Sequence, residues 1–173
     1  KNELVLGQIK VDEKSNEITA IPKLLENLLI KDCIVTLDAM GCQKKIARKI
    51  VSKQAAYILA VKENQKELFE DIQDSFSVLN PSDTSEDIDY GHGRIETRKC
   101  YILTDLSLVE EASKWKGLTS IIKIERERYF KATGKKETES SYYISSLKEA
   151  SVINNGIRKH WGIENKVHWV LDV

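Results

Sequence analysis

Glu164 stands where a carboxylate is costly. Read as a helix, the stretch "IRKHWGIENKVHWVLDV" (157–173) extends an apolar stripe of Ile153, Ile157, Trp161, Val167 and Leu171, with Glu164 at its centre and His160 and His168 one turn to either side. A charge in a core-facing stripe needs a compensating cation, a shared proton or a metal ion. A second carboxylate raises the same question: Asp38 follows the apolar run "CIVTL" and precedes "AMG", at the C-terminal end of a buried strand, where open α/β sheets bind ligands. Taken alone, Asp38 is as readily the cap of the turn that follows. Taken with Glu164, the two acids suit one shared divalent ion. His160, Glu164 and His168 also offer a zinc-like set by themselves, but the outer pair is about 12 Å apart along a helix axis, a long reach for one ion. The ordinary role for each His is a core-edge ring bonded to a neighbour, and for Trp161 and Trp169 it is packing.

Composition narrows the setting. The 173 residues, 41% hydrophobic and 31% charged, suit one globular domain, and no run approaches the roughly 18 apolar residues of a membrane span. With 27 basic and 27 acidic residues, net charge is silent about nucleic acid, so only local clusters bear on it. Lys44, Lys45, Arg48, Lys49 and Lys53 occur without an intervening acid, and Arg94, Glu96 and Arg98 share one side of an alternating segment. Both are solvated faces unless they lie on the side of Asp38, where they would supply phosphate contacts. Gly91 and Gly93 around His92 mark a flexible turn. Cys33, Cys42 and Cys100 form no paired motif, which favours a reducing compartment, the cytoplasm by default. A first residue other than Met and an uncapped amphipathic pattern at the last give the expectation of a piece of a longer chain.

The elements needed to position these acids alternate in type. Residues 3–11, 33–37 and 55–61 read as strands, the last buried on both faces; 19–29, 43–53 and 65–77 read as helices, the first with Thr19 as N-cap and Pro22 in its opening turn. Such alternation predicts a parallel, right-handed α/β unit. Residues 80–93, "NPSDTSEDIDYGHG", read as a polar acidic loop. After it "GRIETRKCYILTD", "TSIIKIERERYF" and "SYYISSL" alternate as antiparallel strands, either a second layer or an insertion, before the final helix.

Six ordered motifs, "KSNEITAIPKLL", "VTLDAMGCQKKIA", "YILAVKENQKELFEDI", "GRIETR", "YYISSL" and "HWGIENKVHWVLDV", resemble the bacterial insertion-sequence DDE transposases of the H-repeat-associated type. The resemblance implies an RNase H-like α/β core in which two Asp and one Glu hold a pair of Mg²⁺ (or Mn²⁺) ions, with an antiparallel β insertion between the second Asp and the Glu. It divides the chain into a first core part at 1–79, the insertion at 80–148 and a final core helix at 149–173. Asp38 matches the second Asp and Glu164 the Glu. Implied partners are double-stranded DNA, at element ends and target, and a second copy in a DNA-bound homodimer.

The first Asp of such proteins lies in a "DGK"-like motif that this sequence lacks; Asp12, in "KVDEKSN", reads as a loop residue. The chain is therefore expected to miss one metal ligand and to be inactive alone. Related transposases also carry a Tyr, Arg and Lys around the Glu, where this sequence has Ile157, His160 and Leu171; His160 or Arg158 is then expected to bind phosphate. Lys62, Asn64, Arg94 and Arg98 are expected DNA contacts from charge and placement. The alternative is a non-catalytic DNA-binding remnant of a mobile element.

Overall fold

A computed structural model of the protein describes residues 17–91 and 93–171, with side chains for 18–91 and 93–162. The expected strand at 3–11 lies outside the described residues. Helix α1 (Glu17–Asn27), strand β1 (Ile34–Leu37), helix α2 (Lys44–Ser52), strand β2 (Ala56–Val61) and helix α3 (Lys66–Val78) follow the alternation of the sequence, and β1 and β2 pair in parallel. Thr19 falls inside α1, because the helix starts two residues ahead of it.

Strands β3 (Asp83–Gly91), β4 (Arg94–Leu103), β5 (Ser120–Phe130) and β6 (Lys136–Ser145) complete one six-stranded sheet in the order β1-β2-β6-β5-β4-β3, and α4 (Ala150–Leu171) closes the described chain. The antiparallel block is not a separate layer: β6 pairs antiparallel with β2, Ile58 facing Ser145 and Val61 facing Tyr142.

One expectation is overturned. Residues 83–91, read as part of a loop, form edge strand β3, hydrogen-bonded to β4 along its whole length from Asp83–Ile102 to Gly91–Arg94. Asp, Ser and Glu are poor strand formers and the segment shows no apolar alternation, so local propensity gives no sign of it. Its pairing comes from the neighbour: Gly93 takes φ +74° ahead of β4, and Glu86 faces Lys99 and Asp87 faces Arg98 across the ladder.

The sheet is covered on both faces, which is why β2 reads as an unbroken apolar run. Tyr57, Leu59 and Val61 point to α1, α2 and α3, joining Leu25, Ile46, Ile50, Leu68 and Ile72 in one buried cluster. Ile58 points the other way and packs with Ile102, Ile122, Ile124 and Tyr143 under Ala150, Ile153 and Ile157 of α4. The basic cluster of α2 is mostly spent on this packing. Lys53 Nζ donates to the carbonyls of Leu25, Glu26 and Leu28 at 2.7 Å each, capping the C-terminal end of α1, while Lys49 pairs with Glu26 at 2.8 Å and Lys44 with Glu111.

Helix α4 touches both edges of the sheet. Along β3, the Ala150 N–H donates to Asp83 Oδ2 (2.8 Å), Asn154 Nδ2 to Ser85 Oγ (3.5 Å), and Arg158 to Asp87 and Asp89. On its opposite side, two residues on, His160 reaches Thr36 of β1. Six flat strands would span about 24 Å between edges, twice the roughly 10–12 Å width of a helix with its side chains. The sheet must therefore curl around α4. No helix among the described residues is long and apolar enough to cross a membrane.

Truncating the centre of this inner core tests the arrangement. Ile153→Ala, at a fully buried position, is expected to lower unfolding free energy by about 2–5 kcal/mol, whereas Leu29→Ala, at 98% exposure, should change it by less than about 0.5 kcal/mol, both read from urea melts.

Candidate active site

Alternation along β1 sets the site. Val35 and Leu37 pack into the cluster under α1–α3, so Thr36 and Asp38 face the α4 side. Asp38 ends the strand and begins a 3₁₀ turn, Ala39–Gly41; its φ of −70° and ψ of −177° are extended, and its Oδ1 accepts the Gly41 N–H at 3.2 Å. The capping role is therefore real but uses one oxygen. Asp38 is exposed, and among the described residues no other hydrogen bond and no cation reaches its carboxylate. Gly41 is required where it is: a Cβ there would lie 2.8 Å from Leu37 Cβ.

Asp38 opens onto a cavity of ≈ 670 Å³ between the ends of β1 and β2, the middle of β6 and the face of α4. Its floor is apolar, with Ile58, Ala60 and Ile157, and its rim carries Lys62, Asn64, Glu139, His160 and Trp161. Lys62 and Asn64 follow β2 as Asp38 follows β1. Asn64 Nδ2 donates to the Ala39 carbonyl at 2.6 Å, tying the two strand-end turns together. Thr36 Oγ1 and His160 Nδ1 share a hydrogen bond of 3.0 Å, so this imidazole is a half-buried strut between α4 and β1. Trp161 Nε1 donates to the Tyr143 hydroxyl at 3.4 Å and its ring stacks with Arg126, 5.6 Å away.

Of the residues singled out in the sequence, the fold thus gathers Asp38, Lys62, Asn64 and His160 around one cavity. Arg94 and Arg98 lie further along the same sheet face, both paired with Glu96, at 3.7 and 2.8 Å. Arg158 is occupied by Asp87 and Asp89 on β3, away from the cavity. The backbone of α4 continues through position 164, while the side chains of Glu164 and His168, and His92 altogether, lie outside the described residues. Among the described residues no group of three or more His, Cys, Asp or Glu could hold a metal ion. Burial pushes the Cys42 and Cys100 thiols up to about 12, which leaves neither as a nucleophile.

Sequence reasoning missed Thr36 as the partner of His160, although its two-residue offset from Asp38 puts it on the same strand face. It also missed Glu139 and Arg126, since only the pairing of β6 with β2 brings that part of β6 to the cavity.

Comparison with known proteins gives the family. The family model described as "Transposase DDE domain" matches residues 1–173, and the chain belongs to the DDE transposases, of the H-repeat-associated type. It is 46% identical, over 98% of its length, to the H repeat-associated putative transposase YhhI of Escherichia coli (strain K12), and 43% identical over its full length to the putative transposase YncI of Escherichia coli O157:H7. It covers 47% and 46% of those proteins, so the chain spans about half the length of the curated relatives it matches. Among solved structures, DesVI of Streptomyces venezuelae aligns with 80% of this chain and 58% of its own at 9% identity and a TM-score of 0.32, too slight a likeness to define a fold.

The Thr36–His160 strut is open to test. Thr36→Val keeps the shape but removes the hydroxyl, and is expected to cost about 0.5–1.5 kcal/mol of stability. Amide hydrogen exchange should also quicken in the α4 turn that carries His160, while the α4 turn at Ala150 keeps its protection.

Proposed function

We propose that this chain is part of the RNase H-like catalytic core of a transposase that cuts and joins DNA at the ends of its insertion sequence. In this core Asp38 and Glu164 are two of the three carboxylates that hold a pair of Mg²⁺ or Mn²⁺ ions. The observation that carries the reading is a matched step between α4 and the strands beside it. Along β3, successive contacts advance four helix residues for every two strand residues, Ala150 to Asp83, Asn154 to Ser85 and Arg158 to Asp87. Four residues of helix rise about 6 Å and two of strand about 6.6 Å, so the two remain in step. On the β1 side the contact is His160 with Thr36. One further step pairs position 164 with Asp38.

The donor set suits the ions. Asp38 keeps one carboxylate oxygen clear of protein hydrogen bonds among the described residues and has no cation partner there, as a carboxylate ligand requires. When bound, the ions activate water or a 3′-hydroxyl and stabilise the leaving oxygen. The chain's own side chains do the positioning. The strut of His160 fixes the approach of α4, the Asn64 bond to Ala39 fixes the turn that aims Asp38, and Lys62 on the rim offers its ammonium to a phosphate. The first Asp, which this sequence does not supply in a matching motif, completes the set from elsewhere, so this chain alone binds metal weakly and does not turn over.

Titration calorimetry of Mn²⁺ into the chain, with Asp38→Asn and Glu164→Gln alongside, tests the assignment. Weak binding abolished by either substitution is expected. Binding that survives both, or no binding by a folded chain, would remove Asp38 and Glu164 as a shared site and leave a non-catalytic DNA-binding remnant as the better description.

A further inference from the structure

Beyond the cavity at Asp38, the α4-facing side of the sheet carries four arginines whose register is unusual. Arg98 of β4 lies directly opposite Arg126 of β5, a like-charge pair that costs stability unless each has a counter-charge. Two carboxylates supply it in different ways. Glu96, with a side chain 15% exposed, is shared by Arg98 at 2.8 Å, Arg128 at 3.4 Å and Arg94 at 3.7 Å, and is fixed among three guanidinium groups. Glu139, directly across from Arg126 on β6, has a side chain 58% exposed and, among the described residues, forms its one ion pair with Arg126, with Arg128 and Lys62 acting on it from further off. The Arg126 guanidinium holds the Glu139 carboxyl below its ordinary range, so it is charged at neutral pH. One carboxylate is built in; the other is an exposed side chain held by one largely buried arginine.

Glu139 also stands at a junction. The large cavity at Asp38 adjoins a small cleft lined by Arg98, Arg126, Trp161 and Tyr143, and beyond it lies a hollow of ≈ 400 Å³ lined by Arg126, Arg128 and Glu137; Glu139 lines all three. The Arg126 guanidinium also sits over the Trp161 ring, its Cζ 5.6 Å from the ring centroid.

We propose that these hollows mark one open groove for a single DNA strand leaving the site at Asp38, in which a backbone phosphate takes the place of the Glu139 carboxylate on Arg126. This rests on the transposase reading above. Guanidinium binds phosphate and carboxylate in the same forked geometry, so the exchange leaves Arg126 paired throughout. The cleft that joins the two larger hollows holds only ≈ 10 Å³, so a strand runs over its open mouth and not through it, and the mixture of arginine and aromatic surface is the one that single strands favour. Glu139 thus sets a threshold: polyanions weaker than a DNA backbone do not displace it.

The test is fluorescence anisotropy of a labelled oligothymidylate with the 173-residue chain in EDTA at low salt, circular dichroism reporting that each variant is folded. Glu139→Gln should bind about two- to fivefold more tightly than wild type, the range set by losing one ion pair with an exposed carboxylate. Glu127→Gln removes the same charge from the outer face, where Glu127 pairs with Lys136, and should gain less. Arg126→Gln should weaken binding and cancel the gain from Glu139→Gln when the two are combined. Equal gains from Glu127→Gln and Glu139→Gln, a gain that persists without Arg126, or no binding by wild type would each overturn the proposal. Because metal is absent, the result is separate from the Mn²⁺ titration: a groove that passes while the metal site fails binds a strand without the proposed chemistry.

Discussion

Everything near the candidate site depends on one helix being held at both edges of one sheet. Arg158 and the start of α4 are fixed to the acids of β3, and His160 is fixed to Thr36 of β1. Apolar burial of Ile153 and Ile157 against Ile58, Ile102 and Ile122 presses the helix onto the sheet, but burial is non-directional and would tolerate sliding along the groove. The polar contacts, each worth only about 1 kcal/mol, set the register. The division of labour follows: hydrophobic area holds α4 down, and a few directional bonds decide which residue of the helix stands beside Asp38.

That division accounts for what could be read in the sequence. β1, β2 and helices α1–α3 were legible to within a few residues because their signal is local periodicity, and Asp38 was singled out because strand ends in such sheets bind ligands. β3 was not legible. Its Asp-rich sequence favours a loop, and it is a strand only because β4 lies beside it and Arg158 needs its acids. Likewise "SYYISSL" announced a strand, but not that it would pair with β2 and carry Glu139 to the cavity. Pairing partners are decided by competition among all strands, and no local pattern records the outcome.

The positive charge of the chain shows the same limit. In the sequence, Lys44, Lys49 and Lys53 looked like a free basic face; in the fold they are spent on Glu111, Glu26 and the carbonyl end of α1. Arg94 and Arg98 converge on Glu96. A cluster of basic residues therefore says little about nucleic acid until its internal partners are known. Lys62, on the rim of the cavity at Asp38, does not stand in the densest basic run.

The bond between Thr36 and His160 joins residues 124 apart in sequence, and this has a consequence in time. At about 5–20 residues per second, a ribosome needs roughly 6–25 s to travel from one to the other. Over that interval β1, β2 and their helices can fold while the far wall of the cavity does not yet exist. A long stretch of chain emerges between the strand that ends in Asp38 and the helix that carries His160, so throughout that interval the site stands half-built.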